Sequence, residues 1–145
     1  MSGKNGNAAL TGLVAGAIAG AVARFAVALG FIHYVSHWGG KWWNGSTAMW
    51  PAALVSALIG AGVGGVAGAT CRPVAGAVLG ALLSAATCFF AFLVPAQLMI
   101  GLSHPGGFDH VETAEVLYGF VAMALAGGVA GFIGATIGRR AKRRD

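Results

Sequence analysis

Polar side chains are so widely spaced along this chain that four long apolar runs stand out, at 8–34, 48–70, 74–102 and 111–138. Each exceeds the ~20 helical residues needed to cross a bilayer core. In lipid every backbone N–H and C=O must be bonded within its own segment, so each run predicts a helix. The predicted architecture is an all-α integral membrane protein, a single four-helix transmembrane domain over 1–145. Residues 139–145 form a basic cytoplasmic tail in this reading.

Within these runs the small residues are periodic. Gly12, Gly16 and Gly20 lead to Arg24; Gly60, Gly64 and Gly68 lead to Arg72; a looser row runs Gly127, Gly131, Ala135, Arg139. Gly76 and Gly80 begin a similar row in the third run. A spacing of four places these residues along one helix ridge, where the missing side chain lets a neighbouring backbone come close. The rows are therefore predicted to be helix-packing surfaces, of the glycine-zipper or GxxxG kind. Two stretches look repeated, 15–22 against 75–82 and 62–70 against 128–136, which suggests two duplicated helical hairpins.

Composition narrows the class further. The chain is 57% apolar and 9% charged, with 25 glycines among 145 residues, too little charge to cover a water-soluble surface. The net charge of +5 is accounted for by orientation, because Lys4, Arg72, Arg139, Arg140, Lys142, Arg143 and Arg144 fall on one side of a four-span topology and only Lys41 on the other. Both termini are then cytoplasmic, in a cell membrane of the bacterial inner-membrane type. The first run is too long for a signal core and continues past Arg24, so it is expected to be retained. Pro51 and Pro73 suit the opening turns of the second and third helices, and Pro95 a kink within the third. Tyr34, Trp38, Trp42, Trp43 and Trp50 crowd the first outer loop, as aromatic rings do at the headgroup level.

Candidate chemistry is sparse. Arg24 lies ten residues before Tyr34, about 15 Å below the outer interface at ~1.5 Å per residue. A lipid-facing guanidinium there costs at least ~2.5 kcal/mol, so it should turn inward, with Glu115 as the plausible counter-charge. His33 and His37 lie one turn apart, and His104 and His110 fall in the other outer loop beside Asp109 and Glu112, a donor set compatible with a metal or with haem. Cys71 and Cys88 are too far apart along the helices to bridge. Ser84, Thr87, Cys88 and Gln97 are the remaining polar groups at membrane depth.

There is no phosphate loop, nucleophile elbow or pair of core carboxylates, so no enzymatic activity is expected. The tail fixes orientation and attracts anionic lipid; no nucleic-acid partner is expected. Gly60 through Pro73 resembles the first helix and polar loop of the proteolipid c subunits of rotary ATPases, and Ala114 to Gly119 resembles their ion-carrying segment. That family needs a carboxylate near mid-membrane in the outer helix of a hairpin. The third run has none, so the resemblance implies shared close-packing chemistry and not membership.

The leading functional expectation is a non-catalytic, close-packed structural or assembly subunit of a homo- or hetero-oligomeric membrane complex. An alternative is a channel or transporter subunit for an ion or small solute, with Arg24 in its pathway. A third is a metal- or haem-binding subunit using the outer-face histidines. The residues by themselves name no cofactor.

Overall fold

The computed structural model describes the backbone of residues 3–38, 46–89 and 113–144 and, within them, the side chains of 6–30, 51, 53–89 and 117–144. Four helices are described: α1 (Gly3–Trp38), α2 (Ser46–Gly68), α3 (Pro73–Cys88) and α4 (Thr113–Arg144). The chain is all-helical over these residues. Two stretches, Gly6–Gly30 and Leu117–Arg144, are long and apolar enough to cross a membrane, and Ala53–Gly68 and Pro73–Cys88 are shorter apolar helices.

Helix boundaries follow local chemistry. α3 opens with Pro73 at its first position, after Arg72 in an extended conformation (φ −123°, ψ 104°). Proline fits there because its missing N–H would have had no helical partner. The turn before it is tight: the N–H groups of Thr70 and Cys71 donate to the carbonyls of Ala67 and Gly68, and the Thr70 hydroxyl also donates to Ala67 O at 2.8 Å. Cys71 takes φ 53°, in the left-handed region that glycine usually fills. At α2 the structure differs from the sequence reading. The helix starts at Ser46, so Pro51 lies inside it and not in its opening turn. So near the helix start the proline forfeits only one backbone bond, that to the carbonyl four residues earlier. Residues 139–144, the basic stretch, continue α4 as helix.

The bundle is ordered by which ridges are small. In α1 the buried positions are Ala8, Gly12, Gly16, Gly20, Arg24 and Ala28; in α3 they are Gly76, Gly80, Ser84 and Cys88. Each is a single row of period four. A row spaced by four drifts about 40° per step around a straight helix, so keeping it covered requires a partner that crosses in the right-handed sense. α4 buries two adjacent rows, Gly127, Gly131, Ala135 and Ala126, Ala130, Gly134, Gly138. Its first row packs on α3 and its second on α1. α1 packs chiefly on α2 and α4, α3 chiefly on α4, and α2 meets α4 across the middle. Two inner helices and two flanking ones result.

Most of the described leucine, isoleucine and valine side chains point outward instead, Val63 being buried. Ile18, Val22, Leu58, Val74, Leu82 and Leu125 are each more than half exposed, whereas the largest wholly buried side chains are Arg24, Ser56 and Ser84.

Candidate functional site

The glycines meet one another in rungs. A Cβ added at Gly12, Gly16 or Gly20 would fall on the carbonyl oxygen of Gly68, Gly64 or Gly60 respectively, and the reverse additions meet the reciprocal carbonyls. In the second hairpin Gly80 and Gly127 meet in the same reciprocal way, as do Gly76 and Gly131. Gly134 sits against α1, where a Cβ would lie 2.6 Å from the Cα of Gly16. Backbones this close leave no room for a methyl group, so the ten glycines singled out from sequence are helix contacts. Gly134 and Gly138 were missed. Their signal was present as a second row of period four, hidden because the more conspicuous row ends at Arg139.

The rungs also correct the register of the internal repeat. Gly16 and Gly20 correspond in role to Gly76 and Gly80, as the alignment of 15–22 with 75–82 implies. Gly64, however, has Gly131 as its counterpart, whereas the alignment of 62–70 with 128–136 pairs it with Ala130. Alanine and glycine substitute for one another in an alignment, but only glycine permits the contact.

Each step of four along α1 matches a step of four back along α2, so the rung after Gly20 and Gly60 sets Arg24 opposite Ser56. Arg24 is wholly buried. Room for its side chain comes from the facing glycine: a Cβ on Gly60 would lie 2.9 Å from that of Arg24. The guanidinium then crosses the bundle to α3, where Nη1 donates to Thr87 Oγ1 at 2.8 Å. The Thr87 hydroxyl donates in turn to the carbonyl of Ser84 at 3.0 Å, which leaves its lone pairs facing the arginine. Among the described residues, Nε and Nη2 of Arg24, Oγ of Ser56 and Oγ of Ser84 are buried without a hydrogen-bond partner. Beyond this layer Ala28, Ala53, Cys88 and Met123 close an apolar cluster, with Phe25, Val27 and Leu29 against it.

Ser56 was not singled out from sequence, because a lone serine among alanines carries no signal until its register is known. Glu115 belongs to the first turn of α4, but its side chain lies outside the described residues, as do those of His33, His37, His104, His110, Asp109, Glu112 and Gln97. Pro95, Trp42 and Trp43 fall outside them entirely, and Trp38 and Trp50, at the end of α1 and near the start of α2, are described in backbone only. Among the described residues no group of histidine, cysteine, aspartate or glutamate could hold a metal ion.

A second polar feature occupies the opposite end. The start of α1, the α2–α3 turn and the end of α4 converge there: a Cβ on Gly138 would lie 3.0 Å from both Ala8 O and Cys71 Sγ. Thr70, Cys71, Arg72, Arg139, Lys142 and Arg143 line an open cavity of about 430 Å³. Four cations around one hollow make it an anion-attracting surface. No protein family, curated protein or solved structure matches the chain.

Proposed function

We propose that this chain is a multi-pass integral membrane protein with four spans and both termini cytoplasmic, in a cell membrane of the bacterial inner-membrane type, and that its role is non-catalytic: a rigid, close-packed subunit of a homo- or hetero-oligomeric complex. One observation carries the reading. Among the described residues the interior is built from glycine, alanine, three polar side chains and only three larger apolar ones, Val63, Cys88 and Met123, while most large aliphatic residues face outward, the reverse of a water-soluble fold. Water would drive those aliphatic side chains inward; hydrocarbon tails would not. The concentration of arginine and lysine at the end formed by the α2–α3 turn and the end of α4 supports a cytoplasmic assignment for that end.

The glycine rows are used up within the chain, so a partner subunit would meet the aliphatic outer faces or segments outside the described residues. The test is alkaline carbonate extraction of membranes expressing the protein, followed by the mass of the detergent-purified particle. Retention in the membrane and a particle larger than one chain plus its micelle are expected. Release by carbonate would overturn the membrane reading, and a monomeric particle the subunit reading.

A pathway for a small solute or ion is the second reading, favoured by the buried guanidinium of Arg24, whose Nε and Nη2 have no hydrogen-bond partner among the described residues. Solute flux in liposomes, lost in Arg24→Ala, is its test.

A further inference from the structure

The geometry points to a binding site for one small monovalent anion, a halide or a small oxyanion, held between Arg24, Ser56 and Ser84 inside the bundle. Arg24 is wholly buried, and among the described residues only one of its three nitrogens has an acceptor. Nε and Nη2 carry three further N–H groups, all donors, and guanidinium has no acceptor capacity. Ser56 stands on the rung facing Arg24 and Ser84 is joined to it through Thr87; both serine hydroxyls lack a partner among the described residues, and each can rotate its proton to donate to an added acceptor. A buried, uncompensated charge is among the costliest arrangements in a protein, and each unmet donor adds to that cost.

The donor set dictates the class of ligand. Everything presented is positive or can donate, so a metal cation or ammonium is repelled and a neutral solute would leave the charge unmet. Water could accept from the N–H groups but could not neutralise the guanidinium. The chain has four carboxylates, Asp109, Glu112, Glu115 and Asp145, and none is among the described side chains. Small size follows from the surroundings, because Gly60, Ser56 and Ser84 supply the facing surfaces and the rungs on the glycine side are closed by backbone contact.

This inference deepens the pathway reading in its choice of residues, yet binding is measured on purified protein in detergent. An absence of flux therefore leaves it standing, and an absence of binding leaves the membrane and scaffold readings standing. Protein exchanged into gluconate at constant ionic strength is titrated with chloride, bromide, nitrate and formate, and the unfolding midpoint and the heat of binding are followed. A saturable rise in midpoint with at least one of these anions is expected, because a ligand that binds only the folded state stabilises it by mass action. Affinity is expected to fall at least about tenfold in Arg24→Gln, the scale of a lost charge-assisted hydrogen bond. Should that variant not fold, the double variant Ser56→Ala with Ser84→Ala keeps the charge and is expected to weaken binding by roughly threefold or more. Arg72→Gln and Arg139→Gln, at the basic end, are expected to leave the titration unchanged. The site is overturned if none of the four anions gives a saturable response, if Arg24→Gln or the double serine variant responds as wild type does, or if the response follows Arg72 and Arg139. It is equally overturned if binding emerges only in Glu115→Gln, which would show the Glu115 carboxylate already in place.

Discussion

Gly62 and Gly64 lie two residues apart on the same helix, and the structure assigns them opposite tolerances. A Cβ at Gly62 meets nothing within 4 Å, whereas one at Gly64 falls on the carbonyl oxygen of Gly16, 2.9 Å from that carbonyl's carbon and 3.1 Å from the Cα of Gly20. Ordinary contact begins at about 3.4 Å, so α1 would have to retreat by more than ~1 Å, enough to forfeit about half or more of the attraction of each atom pair along the contact. Overpacking costs about 1–3 kcal/mol, and the upper end applies here because both opposing surfaces are backbone and cannot rotate away. At roughly 2–4 °C per kcal/mol for a chain of this size, Gly64→Ala is expected to lower the unfolding midpoint in detergent by about 5–10 °C. Gly62→Ala relieves the helix of an unfavourable residue by up to ~1 kcal/mol and is expected to leave the midpoint unchanged or slightly raised. Gly65→Ala should fall between them, since its Cβ would find Leu13 O at 3.5 Å and Ala17 Cβ at 3.6 Å, an ordinary fit. Coinciding midpoints for the Gly62 and Gly64 variants would refute the argument that glycine is present for backbone approach.

Thr87→Val removes the acceptor for Arg24 Nη1 and strands another buried donor; a loss of about 1–2 kcal/mol is expected in a reversible unfolding titration, with Thr87→Ser close to wild type. Cys71, part-exposed at the α2–α3 turn, should react with a charged, membrane-impermeant maleimide in inverted vesicles but not in intact cells, whereas Cys88 should react only after unfolding. Labelling of Cys71 from outside would reverse the proposed orientation. Binding of the purified protein to phosphatidylglycerol over phosphatidylcholine in nanodiscs should weaken in Arg72→Gln with Arg139→Gln and with rising salt, because those cations line the open cavity at that end.

Much of the packing was legible from spacing. A glycine every fourth residue has few purposes in an apolar helix, and the rows at Gly12 to Gly20, Gly60 to Gly68, Gly76 to Gly80 and Gly127 to Gly131 all meet other helices. Arg24 was legible in the same way, as the residue that continues a packing row. The hydrogen bond from its Nη1 was not: it runs to Thr87, on a helix that α1 otherwise scarcely touches, while the side chain of Glu115, the counter-charge expected from sequence, lies outside the described residues. Which neutral hydroxyl comes within reach depends on how four rows interlock, and no one row carries that information.

The sequence by itself determined that the helices must approach to backbone distance, since period-four glycine leaves nothing else to meet a neighbour, and that large aliphatic side chains occupy the remaining faces. It could not decide which row meets which, because the rows are made chiefly of the same two residue types, glycine and alanine, and most pairings are chemically degenerate. Tertiary structure broke that degeneracy through steric fit: α4 buries two rows and becomes an inner helix, Gly131 rather than Ala130 faces Gly76, and the rung beyond the last glycine pair sets buried Arg24 opposite buried Ser56, with its guanidinium reaching part-buried Thr87. A repeated small-residue spacing specifies that contact will be close, and only the assembled bundle specifies with what.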